Sequence, residues 1–245
     1  MLTIVTFNTH FGRKVGKIAK IFETHSNLKK ADVIFFQEIE SHTKEGKARA
    51  EQIAERLGFY CLYAPARVLP KGGTHGIAIL SKYPLLSHEV VPLPFIKSAY
   101  RSRTRIAQIA EILINKRRVT LANVHLDVRV NVRQRVLQVA PVLEQVFLRK
   151  NKYIIVAGDF NTTPFVWFKG AIPMAVQSQK EHFALFMKEL GFSGSSKKAG
   201  YSIRAGLLRL YLDAVFVKNM KIVEVSTEPK IRVSDHKRLW AKITF

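Results

Sequence analysis

The sequence predicts an α/β domain, and three observations lead to this fold class. The chain has 245 residues and is 47% hydrophobic, which is enough material for one large core. Short apolar runs rich in β-branched residues alternate with segments whose apolar residues recur at helical spacing. No low-complexity linker and no internal repeat interrupts this alternation. We therefore expect one domain over residues 1–245.

The apolar runs and the amphipathic segments give the predicted elements in chain order. A strand over 2–7 precedes a helix over 14–25, and a buried strand over 31–38 precedes an amphipathic helix over 46–58. Further strands are predicted over 59–65, 75–82, 88–94, 103–114, 117–126, 152–158, 211–217, 221–227 and 238–245. Further helices are predicted over 129–150 and 180–192. Pro141 should kink or divide the first of these two.

Four polar residues stand just past the ends of apolar strands. They are Asn8, Glu38, His125 and Asp159. In layered α/β folds the loops at strand ends carry the functional site, because the sheet is rigid and the loops are accessible. Each residue alone also fits a structural role, such as a helix cap or a turn. Their recurrence at four strand ends favours a shared site.

The charge of the chain points to anionic partners. Forty Lys and Arg residues face 18 Asp and Glu, which gives a formal charge of +22 and a pI near 10.3. Nucleic acid is the first candidate partner and an anionic membrane surface is the second, while a generally basic proteome is the alternative explanation. The sequence points to no protein partner.

The single cysteine and the first residues bear on the location of the protein. Cys61 cannot form an intramolecular disulfide, which is typical of a reducing compartment. No run reaches the length of a transmembrane helix, and the first residues form the opening strand in place of a signal peptide. We expect a cytoplasmic protein.

An ordered set of short motifs resembles a known superfamily. The motifs are "TFNTH" (6–10), "QE" (37–38), "NVHLD" (123–127), "GDFNTTP" (158–164), "LDAVFV" (212–217) and "SDH" (234–236). In this order they resemble the endonuclease/exonuclease/phosphatase superfamily, which includes DNase I-like nucleases, inositol-phosphate 5-phosphatases and neutral sphingomyelinases. The resemblance implies a four-layer α/β sandwich. In that fold two mostly antiparallel sheets pack face to face, helices lie outside, and one site lies at a sheet edge.

The resemblance implies a metal site built on Glu38, with Asn8 and Asp235 completing or supporting it. Oxygen ligands suit Mg²⁺, and Mn²⁺ is the alternative. Several nucleases of the superfamily carry an acid two residues after the asparagine of the first motif. Here His10 stands at that position, so no second acidic ligand is available there.

The resemblance also implies the catalytic roles. Asp159 would orient and deprotonate the attacking water, and His236, held by Asp213, would contact the scissile phosphate. His125 would donate to a phosphoryl oxygen. In an extended segment, positions two apart point the same way, so Asn161 would share the site with Asp159 while the phenylalanine between them points into the core.

Alternating arginines predict a phosphate-binding strand. Arg101, Arg103 and Arg105 would share one face of an extended segment, and guanidinium groups bind phosphate oxygens bidentately. A solvated strand face is the alternative.

The apolar segment 164–176 bears on the substrate. It is expected as a short buried helix and loop, and the alternative is an exposed apolar lip that contacts nucleic acid or lipid. The sequence thus favours a Mg²⁺-dependent nuclease over a phospholipid or sphingolipid phosphodiesterase or inositol-phosphate phosphatase. A catalytically inactive binding module is disfavoured, because the whole set of candidate catalytic residues is present.

Overall fold

Two six-stranded β-sheets form the centre of the molecule. The computed structural model describes residues 1–70, 72–99, 102–176, 178–195, 199–229 and 233–245. The first sheet, ordered β15-β16-β1-β2-β4-β3, contains β1 (Leu2–Phe11), β2 (Val33–Ser41), β3 (Tyr60–Val68), β4 (Thr74–Ser81), β15 (Lys221–Thr227) and β16 (Leu239–Thr244). The second, ordered β11-β14-β8-β7-β6-β5, contains β5 (Ser87–Pro92), β6 (Ile106–Ile114), β7 (Arg117–His125), β8 (Tyr153–Asp159), β11 (Phe192–Gly194) and β14 (Asp213–Lys218).

One parallel pair of strands lies inside each sheet, and these two pairs position the candidate site. Strand β1 pairs in parallel with β2, and β7 pairs in parallel with β8, so the carboxyl ends of both partners meet at one edge. Asn8 and Glu38 lie near the end of the first pair, and His125 lies opposite Asp159 at the end of the second. The other pairings within the two sheets are antiparallel, which confirms the mostly antiparallel prediction.

Both faces of each sheet are buried, which explains the continuous apolar runs in the sequence. Phe35 packs between the two sheets, whereas its neighbour Phe36 packs on the opposite face with residues of the helices. Helices α1 (Val15–Thr24) and α2 (Arg49–Leu57) cover the outer face of the first sheet. Helices α3 (Val132–Leu148) and α4 (Gln179–Glu189) cover the outer face of the second. The predicted four-layer sandwich is therefore confirmed.

A buried polar contact joins the two sheets beneath the candidate site. The Gln37 side-chain amide donates to Asn123 Oδ1 at 2.8 Å, and Asn123 Nδ2 donates to the carbonyls of Phe36 and Ala78. Both amide side chains are fully buried. Because a buried polar group without a partner costs about 1–3 kcal/mol, this network favours one register of the two sheets.

Segment 164–176 differs from the predicted buried helix. It forms a β-hairpin of β9 (Phe165–Phe168) and β10 (Ile172–Val176), with Lys169 and Gly170 at positive φ in the turn. Gly170 adopts this conformation at little cost, and the aromatic and β-branched residues before it favour a strand. Phe168, Ile172 and Met174 are each about half exposed. The alternative prediction of an exposed apolar lip describes this hairpin.

Helix α3 and a second hairpin also depart from the predicted elements. The helix begins at Val132 and not at 129, because Arg129 has a φ of 54°, and it runs through Pro141 without being divided. The sequence pattern did not predict the short hairpin of β12 (Ile203–Ala205) and β13 (Leu208–Leu210). Within the described ranges, none of the helices is both long enough and apolar enough to cross a bilayer.

Candidate active site

Asp159 is the centre of the polar cluster at the sheet edge. Its carboxylate is buried at the end of β8 and accepts two hydrogen bonds, from Asn8 Nδ2 to Oδ2 and from the Asn161 backbone N–H to Oδ1, both at 3.0 Å. One donor lies on strand β1 of the first sheet and the other in the loop after β8 of the second, so the position of the carboxylate depends on the packing of the sandwich.

His236 lies against two carboxylates. Its Nδ1 is 2.9 Å from Asp213 Oδ2, and its Nε2 is 3.7 Å from Asp159 Oδ2. Ser234 holds the loop in place, since its hydroxyl donates to the Asn8 carbonyl at 2.7 Å and accepts the His236 backbone N–H at 3.0 Å. The structure therefore brings together three residues that the sequence places far apart.

Burial and mutual charge set the protonation of this group. Burial, followed by the nearby Asp213, raises the pKa of Asp159 to about 6. Burial lowers the pKa of His236, but the carboxylates of Asp213 and Asp159 outweigh it and raise this pKa to about 10. At neutral pH an ionised carboxylate thus stands beside an imidazolium, which suits a base next to a phosphate-binding cation.

His125 lies between a carboxylate and a guanidinium. Its Nε2 is 3.8 Å from Glu38 Oε1 and 3.7 Å from Asp159 Oδ2, and Arg105 Nη1 lies 2.9 Å from each ring nitrogen. Burial, followed by Arg105, lowers the pKa of His125 well below its ordinary value. The ring is therefore neutral at pH 7 and has one N–H to donate.

The described residues of the arginine segment lie before strand β6 and not within it. Strand β6 begins at Ile106, Arg103 is half-buried, and Arg101 lies outside the described residues. Arg105 is buried, and its Nε donates to Asp127 Oδ1 at 2.9 Å. The alternative of a solvated face is wrong for Arg105, because a buried carboxylate holds its guanidinium inward towards His125. The shared phosphate-binding face stays a prediction.

Asn161 is close to Asp159, but not through an extended backbone. Its φ is 51°, so the i, i+2 argument for its orientation is wrong. Its Nδ2 donates to the Leu126 carbonyl at 2.9 Å, which ties the loop after β7 to the loop after β8. Phe160 is buried and packs against Phe183 and Phe216, as the sequence predicts.

The motifs and this geometry have a match among known protein families. A sequence model described as the Endonuclease/Exonuclease/phosphatase family matches residues 5–236. The chain belongs to this family. Members of the family are phosphoric ester hydrolases, including nucleases and phosphatases. The sequence resemblance is thereby confirmed. A comparison with curated protein sequences gives no significant match.

Solved structures of the family share the fold at low identity. An endonuclease/exonuclease/phosphatase from Beutenbergia cavernae is 17% identical with a TM-score of 0.78, covering 99% of this chain and 71% of that one. A mannosyl-6-phosphatase from Bacteroides thetaiotaomicron is 16% identical with a TM-score of 0.70 and full coverage of both chains. The human nocturnin catalytic domain with bound sulfate is 16% identical with a TM-score of 0.72, covering 100% of this chain and 93% of that one. At these identities the likeness shows the fold alone.

Family enzymes generally depend on a divalent metal, and the donor set at this edge fits one. Glu38 is 18% exposed, and within the described part of the chain no hydrogen-bond donor reaches its carboxylate. A φ of 52° in an irregular part of β2 gives this side chain its direction. Asn8 lies on the neighbouring strand and accepts the His10 N–H through Oδ1. Asp235 is about half exposed, 3.4 Å from His10 Nδ1.

A second grouping could also hold a cation. Ligand atoms of Asp159, Asp213 and His236 lie within 4.8 Å of one another. A histidine that is protonated and bonded to Asp213 is a poor metal ligand, because it has no free lone pair on either ring nitrogen. The trio thus offers two carboxylates and an imidazolium, whereas Glu38 and its neighbours offer oxygen ligands.

The sequence motifs did not identify two arginines and a neutral histidine near this edge. Arg135 is buried in α3 and donates to the Phe160 and Asn161 carbonyls, which supports the Asp159 loop. Arg67 lies opposite His75 in the pairing of β3 with β4. Burial, followed by Arg67, lowers the pKa of His75 to about 3, so this histidine is neutral. Neither Arg135 nor Arg67 stands in one of the six motifs that carry the resemblance.

Proposed function

We propose that this chain is a Mg²⁺-dependent nuclease that hydrolyses phosphodiester bonds of DNA or RNA. The observation that carries the proposal is the cluster of guanidinium groups at the catalytic edge. Arg105 Nη1 lies 2.9 Å from both ring nitrogens of His125, whose Nε2 is 3.8 Å from Glu38 Oε1. Arg67 lies opposite His75 in the pairing of β3 with β4, and burial, followed by the charges of Arg103 and Arg105, lowers its pKa. A cluster of this kind favours substrates with more than one phosphate.

The chain's own residues supply a route for hydrolysis. Asp159, held by Asn8 and by the Asn161 N–H, accepts the proton of the attacking water. His236, charged and fixed by Asp213, stabilises a phosphoryl oxygen, and neutral His125 donates a further hydrogen bond. When bound at Glu38, with Asn8 and Asp235 in support, a divalent cation would polarise a phosphoryl oxygen and offset its developing charge. Arg103 would hold flanking phosphate charge, and Arg105, bonded to Asp127, would hold His125 in place.

An activity panel tests this proposal. The protein is offered plasmid DNA, single-stranded DNA, RNA, an abasic duplex and phospholipid vesicles, with Mg²⁺, with Mn²⁺ or with a chelator. We expect nucleic acid cleavage that the chelator abolishes. Asp159→Asn should lower the rate by about 10²–10⁴-fold, the usual contribution of a general base. Glu224→Gln, an acid-to-amide change on the exposed edge of β15, serves as the matched control.

Two results would contradict the nuclease. Turnover of a lipid or a small phosphomonoester, without cleavage of any nucleic acid at low salt, would exclude it. An undiminished rate in Asp159→Asn would exclude the assigned base.

The half-exposed apolar tip of the β9–β10 hairpin supports a second candidate, a lipid phosphodiesterase or inositol-phosphate phosphatase at an anionic membrane surface. Apolar side chains beside cations suit insertion at a lipid interface. Co-sedimentation with phosphatidylglycerol vesicles tests it. Ile172→Ser should release the protein, and Val223→Ser, at an equally exposed position in β15, should not. Equal binding by both variants would contradict this candidate.

A further inference from the structure

A cavity of about 820 Å³ lies between three loops of the molecule. Its lining comes from residues 97–99, 129, 131–134, 166, 167, 169 and 170, together with Gln179. The second of these loops leaves the strand end that carries His125, and the third follows Asp159 and Asn161 along the chain. The volume lies within the range of about 300–1,000 Å³ that is typical of small-molecule sites.

Side-chain and backbone hydrogen bonds hold the three loops together. Asn131 Nδ2 donates to the Trp167 carbonyl at 3.0 Å, and the Trp167 N–H donates to Asn131 Oδ1 at 2.8 Å. The Ala99 N–H donates to the Lys169 carbonyl at 3.1 Å. The cavity is therefore formed by a connected set of loops and needs little ordering when a ligand binds.

The lining combines positive charge with an aromatic ring. Its charged members are Lys97, Arg129, Arg133 and Lys169, and the described residues that line it include no Asp or Glu. The Trp167 ring is half-buried, with its Nε1 donating to Thr163 Oγ1 at 2.9 Å. The Arg129 guanidinium lies 5.1 Å from the centroid of this ring. An aromatic ring bordered by cations suits a ligand with a flat base and a phosphate.

We infer that this cavity is a nucleotide subsite that takes one unit of single-stranded nucleic acid next to the scissile phosphate. The base stacks on Trp167, and the adjacent phosphates contact Lys169, Arg129 and their neighbours. This inference rests on the proposed nuclease function and specifies a substrate with accessible, unpaired bases. Stacking on an aromatic ring does not select among bases, so little sequence preference is expected from this subsite.

Binding without turnover tests the subsite. Fluorescence anisotropy of a labelled oligothymidylate is measured with a chelator present, so that no hydrolysis occurs. Trp167→Ala should weaken binding about tenfold, or ~1.4 kcal/mol, whereas Trp167→Phe should retain most of the affinity. Trp167→Leu, which fills space without a ring, replaces the alanine variant if that variant does not fold. Phe168→Ala is the matched control, because the neighbouring ring does not line the cavity.

Two further measurements test the phosphate contacts and the base contact of the cavity separately. Lys169→Ala should reduce the slope of log affinity against log salt by about 0.7, one single-strand phosphate contact, and Lys221→Ala on β15 should not. Adenosine monophosphate should displace the oligonucleotide at concentrations where inorganic phosphate does not.

Three outcomes would overturn the subsite. They are unchanged affinity in Trp167→Ala, equal competition by inorganic phosphate, and binding of phosphatidylglycerol vesicles in place of the oligonucleotide. These experiments distinguish failure of the subsite inference from failure of the proposed nuclease function. If the wild-type protein cleaves nucleic acid and Trp167→Ala binds the oligonucleotide with unchanged affinity, only the subsite inference is contradicted. If Trp167→Ala binds more weakly but the wild-type protein cleaves no nucleic acid, only the proposed nuclease function is contradicted.

Discussion

At the scale of single residues, His236 lies between the buried carboxylates of Asp159 and Asp213 and offsets their mutual repulsion. Two buried carboxylates would repel each other and resist ionisation, and this repulsion contributes to the raised pKa of Asp159. The imidazolium of His236, 2.9 Å from one carboxylate and 3.7 Å from the other, offsets that repulsion. The same contact keeps the histidine charged at neutral pH.

A bell-shaped pH profile follows from these two pKa values. Asp159 must be ionised to accept a proton, so kcat/KM should rise with pH through about 6. His236 must stay protonated to stabilise phosphate charge, so kcat/KM should fall as pH passes about 10. Because Asp159 and His236 interact, the rising and falling limbs of the profile report the titration of the pair and not of one residue each. Steady-state kinetics on a soluble phosphodiester across this pH range measures both limbs.

Asp213→Asn gives the control for the upper limb. Removing this carboxylate removes the strongest influence that raises the pKa of His236, so the upper limb should move to lower pH. The acid limb should also move to lower pH, because the Asp213 carboxylate contributes to the raised pKa of Asp159. An upper limb that does not move would exclude His236 as its origin.

At the scale of elements, the parallel pairing of β7 with β8 fixes the position of the base. Gly158 makes this pairing possible, because it has a φ of 150° and lies directly against the backbone of β7. A Cβ at this position would lie 2.0 Å from the Val124 carbonyl oxygen. The glycine immediately before Asp159 is therefore required by a backbone contact between strands.

Gly158→Ala should separate the two strands and displace Asp159. We expect a loss of about 1–3 kcal/mol in the free energy of unfolding, as for other overpacked sites, together with a larger loss of kcat than of substrate binding. Chemical denaturation and kinetics measure the two effects. Gly58→Ala, at a helix end with open space around its Cβ, is the control and should cost about 1 kcal/mol without altering activity. Equal effects of both substitutions would contradict the role of the close contact.

At the scale of the whole molecule, the charge of +22 acts over distances longer than any single contact. A field of this sign speeds encounter with polyanions and strengthens their binding through release of counterions. The cavity between the three loops shares this positive charge, because its described lining residues include four Lys and Arg and no Asp or Glu.

Salt should therefore discriminate strongly between substrates. For a nucleic acid that makes about six phosphate contacts, affinity should fall about 10³-fold between about 50 mM and about 200 mM salt. A single phosphodiester such as bis(p-nitrophenyl) phosphate is the control, and its KM should change little. Parallel titrations of KM with sodium chloride measure both. A shallow dependence for nucleic acid would contradict the electrostatic basis of the proposed function.

Local patterns in the sequence determined much of this protein. Apolar runs identified the strands of both sheets except β11, and polar residues at strand ends pointed to Asn8, Glu38, His125 and Asp159. These signals are local, because a buried strand needs apolar side chains and a site needs polar groups where the strand ends. The order of the motifs indicated the family, which the family match confirms, and the family resemblance predicted the four-layer architecture.

Only the tertiary structure decided how distant groups meet. Asp127 turns Arg105 inward, the left-handed backbone of Asn161 redirects its amide, and the Asn131 contact with Trp167 builds a cavity from separate loops. Each depends on a partner more than 20 residues away or on one backbone angle. Periodicity carries no information about such partners, because it records which residues are buried and not which residues they contact.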